Sequence, residues 1–253
     1  MSGTKYLIYD IENMAALGWV WGIWQQDVIR VEHPQHLMTI AYKWLGEKKV
    51  HVIALPDYKL YKTEPKNDYE VIKKLHELFE EADITIAHNG DKFDVKKSNA
   101  RFLYHGFSPP APHKQIDTLK IARKHFALTS NRLDALGDHL KLGRKVQTGG
   151  FDLWLGCMVG DRKAWAKMAK YNRQDVDLLE KVYIKLRPWV TNHPSLGIMD
   201  GRPKACDNCG SPRLHNHTKK SYAKRGWRMQ YKCYDCGAYK LGTKLHKLGD
   251  WLV

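Results

Sequence analysis

Apolar positions change their period along the chain. From Lys5 to Glu12 the run KYLIYDIE brings together Tyr6, Leu7, Ile8, Tyr9 and Ile11, the aromatic and branched content of a buried central strand. Leu37–Leu45 and Lys49–Leu55 read as two more strands, separated by Gly46-Glu47-Lys48, a connection of hairpin length. The period then lengthens. Val71, Leu75, Leu78 and Phe79 fall at helical spacing and predict a helix over Asp68–Asp83. Ile84–His88 is a short apolar strand, and Asp91–His105 a helix entered through Asn89-Gly90. Pro109, Pro110 and Pro112 mark a loop before a short strand at Lys114–Ile116. Asp117, a favoured N-cap residue, opens a helix to about His125. Further helices are predicted over Asn131–Leu142 and Arg162–Lys185, the last stopped near Pro188, with Gly143–Gly150 as a basic loop between them.

Strands followed by alternating helix and strand predict an α/β domain. Its mixed sheet has a hairpin-connected antiparallel part, later crossover strands and flanking helices. Trp189–Ala205 holds Pro194, Gly197, Gly201 and Pro203 and reads as a connector. The expected organisation is a domain over 1–188, a linker over 189–205 and a small domain over 206–253. In the turn segment Asn13–Gln26, Trp19, Trp21 and Trp24 have the chemistry to stack on unpaired bases. Packing of a hairpin, or of the sheet edge, against the body is the favoured expectation for them.

Charge divides the chain in the same place. Its 42 Lys and Arg against 27 Asp and Glu give a net +15. From Gly201 onward 12 Lys and Arg face 3 Asp and Glu, a net +9. Surfaces this basic meet polyanions, most often nucleic acid. No apolar stretch approaches membrane length, and MSGTKYLIYD lacks a signal-peptide layout. A soluble, intracellular, cytoplasmic protein is expected.

The first strand carries two acids. Side chains alternate along a strand, so Asp10 and Glu12 project from one face. Neighbouring carboxylates repel and are costly to bury, and a divalent cation between them removes that cost. Asn89 to Asp94 spells NGDKFD where a strand gives way to a helix. Here Asn suits a turn, and Asp94 suits the positive end of the helix. Tyr171 and Asp175 stand four apart on a helix, hence on one face, and Leu178, Leu179 and Val182 continue close to it. An inward Asp needs a partner: a metal, or a buried Arg or Lys.

Asp10-Ile11-Glu12, then Asn89-x3-Phe93-Asp94, then Tyr171-x3-Asp175 resembles the ordered motif set of the DEDD 3′–5′ exonuclease superfamily. The tyrosine places the likeness in its DEDDy branch. The sequence looks most like the proofreading domain of family B DNA polymerases and stand-alone relatives in phages and bacteria, over residues 5–187. That resemblance implies an RNase H-like fold and a two-metal hydrolysis of phosphodiester bonds from the 3′ end, releasing nucleoside 5′-monophosphates. It implies that Asp10, Glu12, Asp94 and Asp175 hold two Mg²⁺ or Mn²⁺, that Tyr171 positions the attacking water, and that Asn89 and Phe93 contact substrate. Asn13 stands where relatives often carry Thr or Ser beside the terminal nucleotide. DNA is favoured over RNA as partner. An exoribonuclease and a non-catalytic nucleic-acid-binding protein are the alternatives.

Five cysteines complete the candidate chemistry. Cys157 stands alone in an apolar context. Cys206-Asp-Asn-Cys209-Gly and Cys233-Tyr-Asp-Cys236-Gly are matching knuckles. Four thiolates suit one structural zinc, and the segment resembles a zinc ribbon. It has too little core to fold without metal. Between the knuckles Lys219, Lys220, Lys224, Arg225 and Arg228 interleave with Tyr222 and Trp227, a composition suited to nucleic acid.

Overall fold

The computed structural model describes residues 3–143 and 149–247. Most of the expected basic loop Gly143–Gly150 therefore lies outside the described residues. The chain divides into two compact units between Val182 and Tyr183.

The first unit is built on a mixed five-stranded sheet. Strands β1 (Tyr6–Asn13), β4 (Leu37–Trp44), β5 (His51–Ala54), β6 (Ile84–Ala87) and β7 (Lys114–Asp117) lie in the order β5-β4-β1-β6-β7. β1 is antiparallel to β4 and parallel to β6, and β6 is parallel to β7. Helices α1 (Tyr69–Glu81), α2 (Asp94–Tyr104), α3 (Thr118–His125), α4 (Leu133–His139), α5 (Asp152–Met158) and α6 (Arg162–Leu186) complete the α/β architecture. Leu7, Tyr9 and Ile11 on one face of β1 join Val71, Ile72, Leu75 and Phe79 of α1 in the core. Cys157 is buried in that core, and burial pushes its thiol up to about 12.

The other face of β1 meets α6. Thr39, opposite Glu12 on β4, donates its hydroxyl to Asn172 Oδ1 at 2.9 Å. Lys43, opposite Ile8, pairs with Glu180 at 2.6 Å. Asn172 to Glu180 spans roughly 12 Å of helix and Thr39 to Lys43 about 13 Å of strand. The matched lengths let two buried polar pairs hold α6 along β4, which fixes where Tyr171 and Asp175 stand.

Residues expected as a helix from Asp91 become helical only at Asp94, because Asn89-Gly90 first makes a tight turn. Asn89 sits at φ +66°, and a Cβ on Gly90 would lie 2.6 Å from Ala87 Cβ. Asp117 caps α3 as read, accepting from the backbone N–H groups of Leu119 and Lys120. α5 was not foreseen.

In the sequence Asp68 marks only the start of α1, but its buried carboxylate ties three elements together. It accepts from Arg101 Nε (2.8 Å), His105 Nε2 (2.6 Å) and the Leu37 N–H (2.8 Å). Burial alone would raise its pKa; bonds from Arg101, His105 and Leu37 outweigh that and hold it below the usual carboxylate value. A depressed acid stabilises the fold above its unfolded pKa, near 3.9, and that stability is lost as pH falls through the lower folded value. Asp68→Ala is expected to destabilise this unit by about 3 kcal/mol, since it leaves the largely covered Arg101 guanidinium without its carboxylate partner. A urea midpoint at pH 7 close to that of the parent would refute this.

The tryptophan segment departs from expectation. It forms a separate two-stranded hairpin, β2 (Leu17–Trp19) with β3 (Arg30–His33). The hairpin is among the expected arrangements, but Trp19, Trp21 and Trp24 are 63%, 90% and 80% exposed rather than packed against the body. With Val20, Ile23, Val28, Ile29 and Val31 also exposed, the hairpin is apolar on its outside. Periodicity cannot distinguish a short strand that packs from one that projects.

The second unit runs from Tyr183 and includes Thr4, whose N–H and hydroxyl both donate to Asp200 Oδ1. The stretch read as a connector is structured. It carries a short helix, α7 (Leu196–Met199), and the Leu196 N–H donates to the Asp207 carbonyl at 2.9 Å. Asn208 Nδ2 donates to the carbonyls of Arg187 and Val190. Strands β8 (Leu214–Ala223), β9 (Gly226–Cys233) and β10 (Tyr239–Leu241) form an antiparallel sheet in the order β10-β9-β8. Among the described residues, no helix is long and apolar enough to cross a membrane.

Candidate active site

β1 and β6 run parallel, and the chemistry-bearing residues lie toward their carboxyl ends, where ligands bind in open α/β sheets. Asp10 and Glu12 emerge from one face of β1. Asp175, 1% exposed on α6, meets them there. Each of the three carboxylates offers an oxygen within 4.8 Å of those of the other two. So many acids at such spacing suit a hard divalent cation, which takes oxygen ligands and cancels their repulsion.

Asp10 is held in place by a residue the sequence reading passed over. Asn172 Nδ2 donates to Asp10 Oδ2 at 2.7 Å, while its own Oδ1 accepts from Thr39. Asn172 is fully buried. The signal available beforehand was its place next to Tyr171, one step around an inward helix face. Asn172→Ala is expected to weaken metal affinity or metal-dependent activity about tenfold or more, the usual cost of losing a partner that orients a ligand. A Mn²⁺ titration of stability and activity matching the parent would show that Asp10 needs no such support.

Asp94 stands at the first turn of α2. β6 pairs with β1 only as far as Ile8, so the Ile11 N–H is open to Asp94 Oδ1, which accepts from it at 3.3 Å. Burial, assisted by the charge of Asp117 and opposed by the Ile11 bond, pushes the Asp94 carboxyl up to about 7. The structure therefore gathers Asp10, Glu12 and Asp175 as one cluster and places Asp94 against the backbone between the first two.

Tyr171 hydrogen-bonds Asp175. Its phenol pKa is raised far above the usual value by burial and by the charges of Asp175, Glu12 and Asp10, so it is a neutral donor and no base. Trp154 of α5 packs edge-on against its ring at 6.3 Å and donates from Nε1 to the Asn13 carbonyl at 3.1 Å. Asn13 Nδ2 is buried with no hydrogen-bond partner among the described residues. Next to it an open cleft of about 360 Å³ is lined by Asn13, Met14, Ala15, Gln35, Phe93, Phe151 and Trp154. Phe93 is 40% exposed there. The backbone of Asn89 is engaged in its turn, its N–H donating to Asp117 Oδ1 and its carbonyl accepting from Lys92 and Phe93.

In the second unit Cys206, Cys209, Cys233 and Cys236 come together, their sulfurs all within 4.8 Å of one another. The Cys206–Cys236 and Cys209–Cys233 sulfurs are 3.7 and 3.6 Å apart, close to the edge of about 3.8 Å for four sulfurs around zinc and far too long for a disulfide. Hydrogen bonds from Cys209 and Cys236 lower the Cys206 thiol. Cys209 is pushed up to about 11, and Cys236 is raised further, by their bonds to that thiolate. One charge thus suppresses the others, which a bound cation would reverse.

A scan against protein families matches residues 32–187 to the RNase H superfamily. The chain belongs to the RNase H superfamily. The matched span contains Asp94, Tyr171 and Asp175, while Asp10 and Glu12 precede it on β1. No curated protein matches the sequence. Among solved structures, the family B DNA polymerase from the hyperthermophilic archaeon Pyrobaculum calidifontis is similar in fold, with a TM-score of 0.53 and 14% identity. The likeness covers 88% of this chain but only 32% of the polymerase, so this chain spans about a third of that protein's length. An RNase H-like fold points to a nuclease or hydrolase acting on nucleic acid.

Proposed function

We propose that this protein is a metal-dependent 3′–5′ exonuclease, acting on DNA ends and releasing nucleoside 5′-monophosphates. The observation that carries the reading is the convergence of Asp10, Glu12 and Asp175 within 4.8 Å beside a neutral tyrosine. Asp94 completes the acidic set as a fourth ligand. Asp10, Glu12, Asp94 and Asp175 would hold two divalent cations, which when bound would supply Lewis-acid stabilisation of the developing phosphoryl charge and acidify a bound water.

The remaining roles fall to the chain itself. Asn172 keeps Asp10 aimed at the cluster. The Tyr171 hydroxyl orients the attacking water through a hydrogen bond rather than by taking its proton. Asn13 and Asn89 bond to the terminal nucleotide, and Phe93 offers its face to a base in the adjoining cleft. In the second unit Cys206, Cys209, Cys233 and Cys236 bind one structural zinc, and the basic ribbon holds nucleic acid.

Tyr171→Phe retains the ring packed on Trp154 and removes only the hydroxyl. Hydrolysis is expected to fall about 10²-fold with little change in binding, and unchanged turnover would reduce Tyr171 to packing. The function as a whole is tested with 5′-labelled single- and double-stranded DNA and RNA, in Mg²⁺, Mn²⁺ or EDTA. A ladder shortening from the 3′ end only with metal supports it, and RNA cleaved in preference to DNA would make the enzyme an exoribonuclease. Internal cuts, or no metal-dependent cleavage, would overturn it.

A further inference from the structure

The ribbon sheet sorts its side chains onto two faces. Residues opposite one another in an antiparallel ladder share a face, as do residues two apart along a strand. Lys232 lies opposite both His215 and Tyr239, so these three share a face with Arg228 and Gln230. Trp227, opposite Tyr222, belongs to the reverse face. Sequence alone points to Trp227 as a stacking group, but its ring is already engaged. It lies parallel to His246 with centroids 3.8 Å apart, and Lys220 Nζ is 4.2 Å from its centre.

On the first face four rings touch in succession, His215 tilted 32° on Tyr234, and His217 edge-on both to His215 and to Tyr239. His215 lies 4.5 Å from Tyr234 and 6.1 Å from His217, and His217 lies 5.1 Å from Tyr239. Tyr234 and Tyr239 are 63% and 52% exposed. Lys232 Nζ stands 5.9 Å from the Tyr239 ring. Connected aromatic rings beside cations, in a segment of net charge +9, complement a polyanion that also offers π faces.

We propose that His215, His217, Tyr234 and Tyr239 form a stacking platform for the unpaired bases of single-stranded nucleic acid, with Lys232 and Arg228 taking its phosphates. A duplex hides its base faces in its own stack and offers this row nothing beyond phosphates, so the surface selects single strands. The inference rests on the reading of the chain as a nucleic-acid enzyme, but not on hydrolysis.

The test uses the full chain carrying Asp175→Asn to prevent cleavage. Fluorescence anisotropy follows labelled oligo(dT), oligo(rU) and a blunt duplex across a salt series. Tyr234→Ala with Tyr239→Ala is expected to weaken single-strand binding roughly tenfold to a hundredfold. The slope of log affinity against log salt should not change, because stacking releases no counterions. Phe at both positions should restore binding, whereas Lys232→Ala should lower the slope by about 0.7. The same loss is expected on oligo(dT) and oligo(rU), since base faces are common to both; a loss on one alone would overturn stacking as its source. Bound zinc per chain checks folding, and a Leu pair, which retains bulk without a π face, replaces the Ala pair if that loses zinc. Affinity within twofold of the parent, or equal losses on single strand and duplex, would overturn the platform. If the unsubstituted chain cleaves and the Asp175→Asn chain binds, while the double variant binds indistinguishably from it, only the platform falls. If the parent binds no nucleic acid, the functional reading falls as well.

Discussion

Asp175→Asn is expected to reduce metal-dependent cleavage by about 10³-fold or more while raising the thermal midpoint of the metal-free protein. The two effects have one cause. Asp175 is almost fully buried and has a carboxylate oxygen within 4.8 Å of those of Asp10 and Glu12. Without a cation, charge on any one of these carboxylates disfavours charge on the other two. The repulsion is about 3 kcal/mol per pair at an effective dielectric of 20. Partial exposure of Asp10 and Glu12 discounts it to roughly 1–2 kcal/mol. Asn retains the volume and removes the charge, so the empty fold relaxes while the ligand set loses its innermost member. Mg²⁺ or Mn²⁺ should raise the midpoint of the parent and leave that of the variant nearly unchanged. Single-turnover cleavage and a melt with and without metal read both effects. Activity within tenfold of the parent would remove Asp175 from the catalytic set. A midpoint lowered without metal would mean that its carboxylate has a structural counter-charge.

How much of this was legible beforehand depends on the range of the cause. Strand and helix periods reflect which face of an element is buried, so the five sheet strands and α1, α3 and α6 were readable within a few residues. The pair Asp10 and Glu12 was readable for the same reason, since alternation along β1 alone places both on one face. Asp175 required one more step, the inward face of α6. Other features depend on a partner distant in sequence. Asn172 acquires its role from Thr39 and Asp10, which lie 133 and 162 residues away. Asp68 is held by Arg101 and His105 on another helix, and nothing in its local pattern says so. The tryptophan hairpin shows the converse limit. Its residues have strand composition, but whether a hairpin lies on the body or stands off it depends on surface that its own sequence does not describe. Trp227 lies stacked on His246, 19 residues further along, and nothing in its local pattern shows that its ring has this neighbour.

Removing zinc is expected to unfold the ribbon selectively. Its buried apolar cluster is Cys206, Cys233 and Ala238, with Cys209, Leu214 and Cys236 packed around them. That is far less than the core behind β1, and most of it is the ligand set itself. Cores this small do not offset the entropy of ordering three strands, whereas zinc held by four thiolates contributes on the order of 10 kcal/mol of folding free energy at neutral pH. Cys206→Ser should therefore release the metal and abolish amide protection across β8, β9 and β10. Protection in β1, β4 and β6 should persist, because those strands bury their own apolar cluster. Acid should act in the same direction, since zinc binding must displace protons from thiols such as Cys209, pushed up to about 11 without metal. Hydrogen exchange with zinc release measured in parallel decides the matter. One zinc per parent chain, with protection lost only beyond Cys206 in the variant, is the expected result. Full protection of β8–β10 after the metal is stripped would show that the strands hold themselves together, and the four cysteines would then need another explanation.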